Sequence, residues 1–341
     1  MELDELPDLA ARPLGGSVVA ASDEFFGAKE NLIEPTVPTF SPGTFTAKGQ
    51  LYDGWETRRR REPGHDWVIV ALGAPGVVHK AVVDTAFFRG NFPQRCSIEA
   101  IAVQGYPSPD ELARAAWAQL LPESPLRGDF RNEFTLPARW RSTHIRLSIH
   151  PDGGVARLRL HGEPLPDPKE LAGLPFDLVA LANGGRTVSC SDSFFSRPDN
   201  MLAPGESRFM GDGWETARRR GGGHDWAVVR LATTASPIAV ELSTLHYKGN
   251  APATATLSGI DAVSADPNDA AAWVPLLDGV RLQPDTRHRF RLAGAPELTH
   301  VRLDIHPDGG IARFRLYGEP TARGWDELAA RWSEATPPGR P

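Results

Sequence analysis

Cysteine is scarce in this 341-residue chain, and its scarcity excludes two kinds of site. Only Cys96 and Cys190 are present, which is too few for a disulfide framework and lacks the paired spacing of a zinc site. We interpret both as reduced thiols of a cytoplasmic protein, because disulfides are rare in that compartment. The acidic start Met1–Glu5 has neither the basic residues nor the apolar stretch of a secretory signal.

Long apolar runs and an excess of positive charge are missing as well. No segment approaches the about 18 consecutive apolar residues that a transmembrane helix needs. The formal net charge of −6 provides no electrostatic attraction for nucleic acid or for an anionic membrane. We therefore expect neither partner. A nucleophile elbow, a P-loop, a dinucleotide fingerprint and a His-Glu-x-x-His zinc motif are also absent, which excludes the enzyme classes that depend on them.

Glycine and proline are plentiful, with 33 and 31 residues scattered along the chain. Turn-forming residues between short apolar runs are typical of a protein made of many strands. The apolar run 67–72 predicts a buried strand. Alternation in 145–150 and 156–161 predicts an antiparallel hairpin closed by the Asp-Gly turn between them. Helices are predicted only at 108–121, 169–172 and 321–335.

The chain contains an internal repeat. Asp53-Gly54-Trp55-Glu56-Thr57 recurs as Asp212-Gly213-Trp214-Glu215-Thr216, an offset of 212 − 53 = 159. A repeat this long indicates two whole domains rather than a solenoid. The other matching blocks are Arg59-Arg60-Arg61 with Arg218-Arg219-Arg220, Gly64-His65-Asp66-Trp67 with Gly223-His224-Asp225-Trp226, Gly90-Asn91 with Gly249-Asn250, and His150-Pro151-Asp152-Gly153-Gly154 with His306-Pro307-Asp308-Gly309-Gly310.

These patterns predict an all-β chain of two tandem jelly-roll or β-sandwich repeats with a few short helices. We place the first repeat at 16–165, the second at 183–320 and a C-terminal helix at 321–335. A flexible joint is predicted at Asn183-Gly184-Gly185, where glycines follow a proline-rich stretch.

Charged residues, rather than core residues, dominate the repeated blocks, and loops that keep charge favour ligand binding. Glu56 and Glu215 are candidates for general acid/base chemistry, although a carboxylate after a tight turn could instead pair with a neighbouring arginine. The arginine run could clamp a carboxylate or could be a solvated basic loop. His65 and His224 could titrate near neutral pH or simply end a strand.

At these blocks the sequence resembles the allantoicase family over roughly residues 20–320. The resemblance rests on Asp53–Arg60, Gly64–Trp67 and Ile149–Gly154, with their second copies, and on Asn31-Leu32-Ile33. It implies two galactose-binding-like jelly-roll repeats, a homo-oligomer such as a hexamer, and hydrolysis of allantoate to ureidoglycolate and urea in allantoin degradation. The alternative that we keep open is a non-catalytic jelly-roll protein that binds carbohydrate or a small anion.

The residue types in the repeat agree with the chemistry that the resemblance implies: arginine to bind a carboxylate, and glutamate and histidine to move protons. No cofactor is predicted with certainty; a divalent metal stays open, although the histidine spacing matches no strong metal motif. Equal activity of the two copies is in doubt, since Arg58, Asp84 and Phe87 become Ala217, Ser243 and His246. The predicted catalytic residues are Glu56, His65, Asp66, Glu215, His224 and Asp225. The predicted substrate-binding residues are Asp53, Arg59, Arg60, Asn91, His150, Arg157, Asp212, Arg218, Arg219, Asn250, His306 and Arg313.

Overall fold

The computed structural model describes residues 6–137 and 139–337, which form two compact units. Within the described residues, one unit comprises the part up to Leu165 together with 334–337; the other is Pro166–Ser333. The predicted all-β architecture of two tandem repeats with few short helices is confirmed. No helix in the described part of the chain is long and apolar enough to cross a membrane.

The first unit contains eleven strands within its described residues, and one of them is unusually long. They are β1 Ser17–Ala21, β2 Phe45–Thr46, β3 Gly49–Gln50, β4 Trp55–Glu56, β5 Asp66–Asp84, β6 Arg95–Ile101, β7 Ala118–Pro125, β8 Arg131–Thr135, β9 Ser142–His150, β10 Gly154–Val155 and β11 Arg157–Pro164.

The long strand β5 belongs to both layers of the first sandwich. Its first part pairs with β1 and β9, and β9 continues the sheet to β6 and β7. Its second part pairs with β11 and β8. The register shifts between Ala71 and Gly76, where the strand passes from one layer to the other. A side chain at Gly76 would lie 2.4 Å from the Glu163 carbonyl oxygen, so this close approach requires glycine.

The second unit repeats this arrangement around the strand β15. Its strands are β12 Phe176–Asp177, β13 Arg186–Cys190, β14 Trp214–Glu215, β15 Asp225–Ser243, β16 Thr254–Ile260, β17 Val274–Arg281, β18 Arg287–Arg291, β19 Leu298–His306, β20 Gly310–Ile311 and β21 Arg313–Pro320. The first part of β15 pairs with β13 and β19, and its second part pairs with β18 and β21. Between its layers lies a core that includes Trp214, Leu303 and Phe314, all almost completely buried.

Helices are short except at the chain end. The α-helices are α1 Pro109–Arg114, α2 Pro168–Leu171 and α3 Ala322–Glu334. The 3-10 helices are Arg12–Leu14, Lys29–Ile33, Leu181–Asn183, Pro198–Leu202, Met210–Asp212 and Ala270–Ala272. Helix α3 packs on the second unit through the buried Gly324 and Leu328, and Thr233 Oγ1 donates to the Gly324 carbonyl at 2.7 Å.

Three local predictions were wrong. The helix predicted over 108–121 ends at Arg114, because the residues from Ala118 pair with β6 as an edge strand. The two strands of the predicted hairpin, β9 and β11, pair with different parts of β5 rather than with each other. Gly184 is no flexible joint but the left-handed cap of a 3-10 helix, with its amide bonded to the Leu181 carbonyl.

Candidate active site

The predicted site residues of each repeat converge on one turn. We call residues 151–154 and 307–310 the hub turns. In the first repeat the hub turn makes these bonds: Asp66 N to Pro151 O at 3.1 Å, Arg60 N to Asp152 Oδ2 at 2.8 Å, Thr57 N to Gly153 O at 3.1 Å and Gly154 N to Asn91 O at 2.8 Å. The second makes the same bonds: Asp225 N to Pro307 O, Arg219 N to Asp308 Oδ2, Thr216 N to Gly309 O and Gly310 N to Asn250 O. Hydrogen bonds to the backbone and aspartate of the hub turn thus hold three other segments of each repeat against it: the arginine loop, the start of the long strand and the asparagine segment.

The glycines of the hub turn are required by this crowding. Gly153 has φ +138°, a left-handed conformation that a side chain disfavours, and a Cβ there would lie 2.6 Å from the Asn91 carbonyl oxygen. A Cβ on Gly154 would lie 2.0 Å from the Phe88 ring. The repeated Pro-Asp-Gly-Gly sequence therefore brings the asparagine segment against the turn.

A glutamate and an asparagine meet beside each hub turn. Asn91 Nδ2 donates to Glu56 Oε1 at 2.6 Å, and Asn250 Nδ2 donates to Glu215 Oε1 at the same distance. Strands β4 and β14 hold the glutamates by pairing with β10 and β20 of the hub turns. Burial raises the pKa of Glu56, and the hydrogen bond from Asn91 partly opposes that rise. Each repeat thus presents a carboxylate with one oxygen fixed by an amide.

Two histidine rings lie against each other, tilted, at the other end of each hub turn. The ring centroids of His65 and His150 are 4.8 Å apart, and those of His224 and His306 are 4.4 Å apart. The contact follows from the sheet register, which pairs Asp66 with Ile149 and so sets His65 opposite His150. Burial lowers the pKa of His306, and the neighbouring His224 lowers it further.

The arginine run divides into paired and unpaired side chains. Arg60 Nη1 donates to Asp66 Oδ1 at 2.8 Å, and Arg219 Nη2 donates to Asp225 Oδ1 at 2.5 Å. Arg59 is exposed and has no hydrogen-bond or ion-pair partner among the described residues, and the same holds for Arg218. Arg59 and Arg218 therefore each have a guanidinium free to receive a ligand.

The aspartates next to the histidines do not face them. Asp66 and Asp225 are only 2 % and 1 % exposed, and their carboxylates are bonded by the paired arginines and by Ser22 and Ser191. Neighbouring residues on a strand point to opposite faces, which separates each aspartate from the histidine before it. The structure therefore places both aspartates beneath the arginine loop as supports.

Arg157 and Arg313 are likewise supports, since both are buried. Arg157 Nη2 donates to Asp53 Oδ2 at 2.9 Å, and its other donors reach the backbone carbonyls of Thr36, Asp53 and Ala156. Arg313 Nη1 donates to the Asp212 carbonyl at 2.6 Å. Burial raises the pKa of Asp53, but the hydrogen bonds from Arg157 and Thr39, together with the positive charge of Arg157, outweigh it and leave the pKa below its usual value. These contacts fix the loop that carries each glutamate.

Sequence reasoning missed the residues that complete the histidine clusters. Ser97 Oγ lies 3.1 Å from His150 Nε2, and Asp304 Oδ1 lies 2.7 Å from His224 Nε2. Both partners come from strands of the sheet, and neither belongs to a repeated block. Only the strand register places them beside the histidines.

The donor groups do not form a metal site in the part of the chain that the structure describes. No group of three or more His, Cys, Asp or Glu residues there could hold a metal ion. Two neighbouring imidazoles also fall short of the three or four ligands that a zinc site uses.

Curated sequences and a family model match the chain over nearly its whole length. The model described as Allantoicase repeat matches residues 7–165 and 176–321. A probable allantoicase of Nocardia farcinica is 53 % identical over 318 residues, covering 92 % of this chain and 94 % of the relative. A probable allantoicase of Streptomyces coelicolor is 48 % identical over 340 residues, covering 96 % of this chain and 89 % of the relative.

Solved structures give the same result. A structure of allantoicase matches with a TM-score of 0.79 and 36 % identity, covering 92 % of this chain and 94 % of that one. The allantoicase of Saccharomyces cerevisiae matches with a TM-score of 0.77 and 36 % identity, covering 92 % of this chain and 93 % of that one. Fold, repeat order and sequence all agree, and the chain belongs to the allantoicase family.

Proposed function

We propose that this chain hydrolyses allantoate to ureidoglycolate and urea in purine breakdown, and that the Glu–Asn and His–His pairs at the hub turns perform the chemistry. The observation that carries the assignment of the site is the Asn-held carboxylate, present in both repeats at 2.6 Å. Such a carboxylate has one oxygen fixed and the other available to accept a proton.

The reaction defines what the site must do. One bond between the central carbon of allantoate and a ureido nitrogen breaks, and the oxygen of water bonds to that carbon. A base removes a proton from the water, and an acid protonates the departing nitrogen so that urea leaves neutral. The carboxylate of allantoate is unchanged and needs a cation to bind it.

Glu56 or Glu215 is the base in this proposal. A raised pKa makes a carboxylate a stronger base while it stays ionised near neutral pH, and burial moves the pKa of Glu56 in that direction. The hydrogen bond from Asn91 keeps the carboxylate oriented. His65 or His224 is the acid, since histidine holds an exchangeable proton near neutral pH.

Arg59 and Arg218 bind the substrate carboxylate. Their guanidinium groups are unpaired in the described structure, whereas Arg60 and Arg219 are bound to buried aspartates. A planar guanidinium donates two parallel hydrogen bonds to a carboxylate, which orients it as well as binding it. The supports Asp66, Asp225, Arg157 and Arg313 hold the loops without contacting substrate.

The chain's own side chains supply this chemistry, so we propose that no metal takes part. Dialysis against EDTA should leave urea release from allantoate unchanged. A loss that added divalent metal restores would contradict this part of the proposal.

We also propose a cytoplasmic homo-oligomer. Several large apolar side chains of the second repeat are exposed, among them Phe194 at 72 % and Phe195 at 62 %, and clustered exposed aromatics favour protein contacts. Sedimentation velocity should show an assembly larger than a monomer at micromolar protein. A monomer at those concentrations would contradict the oligomer.

Incubation of the pure protein with allantoate, with urea and ureidoglycolate quantified, tests the activity directly. We expect both products in equal amounts. A protein that releases no urea but binds galactose or a small carboxylate in calorimetry would support the non-catalytic binding module instead.

A further inference from the structure

The two repeats carry their carboxylate side chains at different positions of the equivalent sheets. In the first repeat Trp67 pairs in register with Ser148; in the second, Trp226 pairs with Asp304. On the neighbouring strand the first repeat has the carboxylate and the second repeat has a serine. Glu99 pairs with Arg146 in the first repeat, whereas Ser258 pairs with Arg302 in the second.

Each arginine therefore keeps one carboxylate partner, but the partner sits in a different place. Arg146 Nε donates to Glu99 Oε2 at 2.8 Å on the neighbouring strand. Arg302 Nε donates to Asp304 Oδ1 at 3.0 Å on its own strand. Both repeats have the ion pair, so the need to pair the arginine does not explain why the carboxylate occupies a different position in each repeat.

In the second repeat the carboxylate, that of Asp304, contacts a histidine. Asp304 Oδ1 lies 2.7 Å from Nε2 of His224, and Asp304 is only 8 % exposed. In the first repeat Ser148 stands at the equivalent position, and His65 has no carboxylate partner within the described residues. The first repeat's His65 is exposed, whereas His224 is partly buried.

We propose that Asp304 is a positioning residue that orients His224 through its Nε2 atom, so that the second repeat holds the working acid and the first repeat does not. The inference rests on the proposed function and deepens it. Asp304 accepts the Nε2 proton of His224, which sets the tautomer and stabilises the imidazolium. The Nδ1 edge of His224 has no partner among the described residues and is available to the leaving nitrogen of the substrate.

Two other groups lie close to this pair. The ring centroid of His306 is 4.4 Å from that of His224, and Arg302 Nε donates to the same Asp304 oxygen. The residues of β16 that pair with His306 and Asp304 are Thr254 and Thr256, which carry no charge. Asp304 is thus the anionic group in contact with His224 within the described structure.

The first test probes the contact between Asp304 and His224 without relying on activity. The full-length protein and its Asp304→Asn variant are treated with diethyl pyrocarbonate at neutral pH, and modification of His224 is followed by peptide mass spectrometry. Only neutral imidazole reacts with this reagent. We expect His224 to be modified faster in the variant, because the carboxylate no longer holds Nε2 and no longer stabilises the protonated ring.

The matched control is Glu99→Gln, which removes the carboxylate partner of Arg146 in the first repeat, where that carboxylate contacts no histidine. It should leave the modification rates of His65 and His224 as they are in the unsubstituted protein. An unchanged rate for His224 in Asp304→Asn, or an equal increase in Glu99→Gln, would overturn the proposal.

The second test uses the reaction. With allantoate, Asp304→Asn should lose at least about tenfold in kcat/KM near neutral pH, with most of the loss in kcat. Glu99→Gln should keep the kcat and KM of the unsubstituted protein. Full activity in Asp304→Asn despite faster modification of His224 would remove His224 as the acid; absence of urea release in the unsubstituted protein would instead refute the proposed function.

Discussion

At the scale of single residues, the site separates side chains that bind ligand from side chains that hold the loops. The arginine run shows this division most clearly. Arg60 and Arg219 have the same residue type as Arg59 and Arg218, but buried aspartates already occupy them. A run of like charges in the sequence therefore contains two functions that only the contacts distinguish.

Substitution of Arg59 and Arg218 together by methionine tests the clamp. Hydrogen bonds to a charged group are worth about 1.5–3 kcal/mol, so KM for allantoate should rise about 10- to 100-fold with a smaller change in kcat. The matched control is the double substitution of Arg61 and Arg220, which are also exposed and unpartnered in the described structure. Equal effects of the two double variants would mean that the run acts through general charge rather than as a clamp.

At the scale of the structural element, the hub turn connects sequence to site. Its Pro-Asp-Gly-Gly motif predicts a turn, but the turn closes no hairpin and instead bonds three other segments. The error arose because alternation of apolar residues identifies a strand and not its partner. The helix predicted over 108–121 failed for a related reason, since the residues after Arg114 fit a strand once β6 lies beside them.

Gly154→Ala should disturb the hub turn. Its new methyl group would lie 2.0 Å from the Phe88 ring, and overpacking of this kind costs about 1–3 kcal/mol. We expect a lower melting temperature of the first unit in calorimetry. Gly90→Ala is the control, because a Cβ there meets no atom within 4 Å; equal melting temperatures for the two variants would show that the turn is not crowded.

A buried histidine of strand β9, His144, should make the stability of the protein depend on pH. Burial lowers the pKa of His144 to about 4, below the value of 6.5 for a free histidine. Between these pH values the unfolded state binds the extra proton, so the free energy of unfolding falls as the pH drops, by about 3 kcal/mol in total for this residue.

His144→Gln should therefore flatten the pH dependence of stability below pH 6.5, as measured by denaturant unfolding followed by tryptophan fluorescence. The exposed His65 provides the control, and His65→Gln should keep the steep dependence. An unchanged slope in His144→Gln would mean that the buried ring is already charged in the folded protein.

At the scale of the whole molecule, the duplication is the feature that the sequence predicts best. Identical blocks such as Asp53–Thr57 and 212–216 predict the two repeats and the candidate glutamates, asparagines and histidines. Comparison of blocks finds only what the repeats share. Asp304 aligns with Ser148 in that comparison, so the repeat alone gives no reason to link it to the site. The strand register shows that Asp304 lies beside His224.

The repeats should contribute unequally to activity. His224→Gln should reduce kcat/KM for allantoate by at least about 100-fold, the usual effect of losing a general acid, whereas His65→Gln should reduce it by less than about tenfold. Initial-rate assays on the two variants, with circular dichroism to verify folding, make the comparison. Equal losses would indicate two equivalent sites.

The most direct measurement for the whole account is urea release by Glu56→Gln, Glu215→Gln and the double variant, with allantoate as substrate. Glutamine keeps the size of the side chain but cannot take a proton. We expect the double variant to lose at least about 100-fold in kcat while it stays folded and still binds allantoate. Full activity in the folded double variant would contradict the claim that the Asn-held carboxylates at the hub turns carry out the reaction.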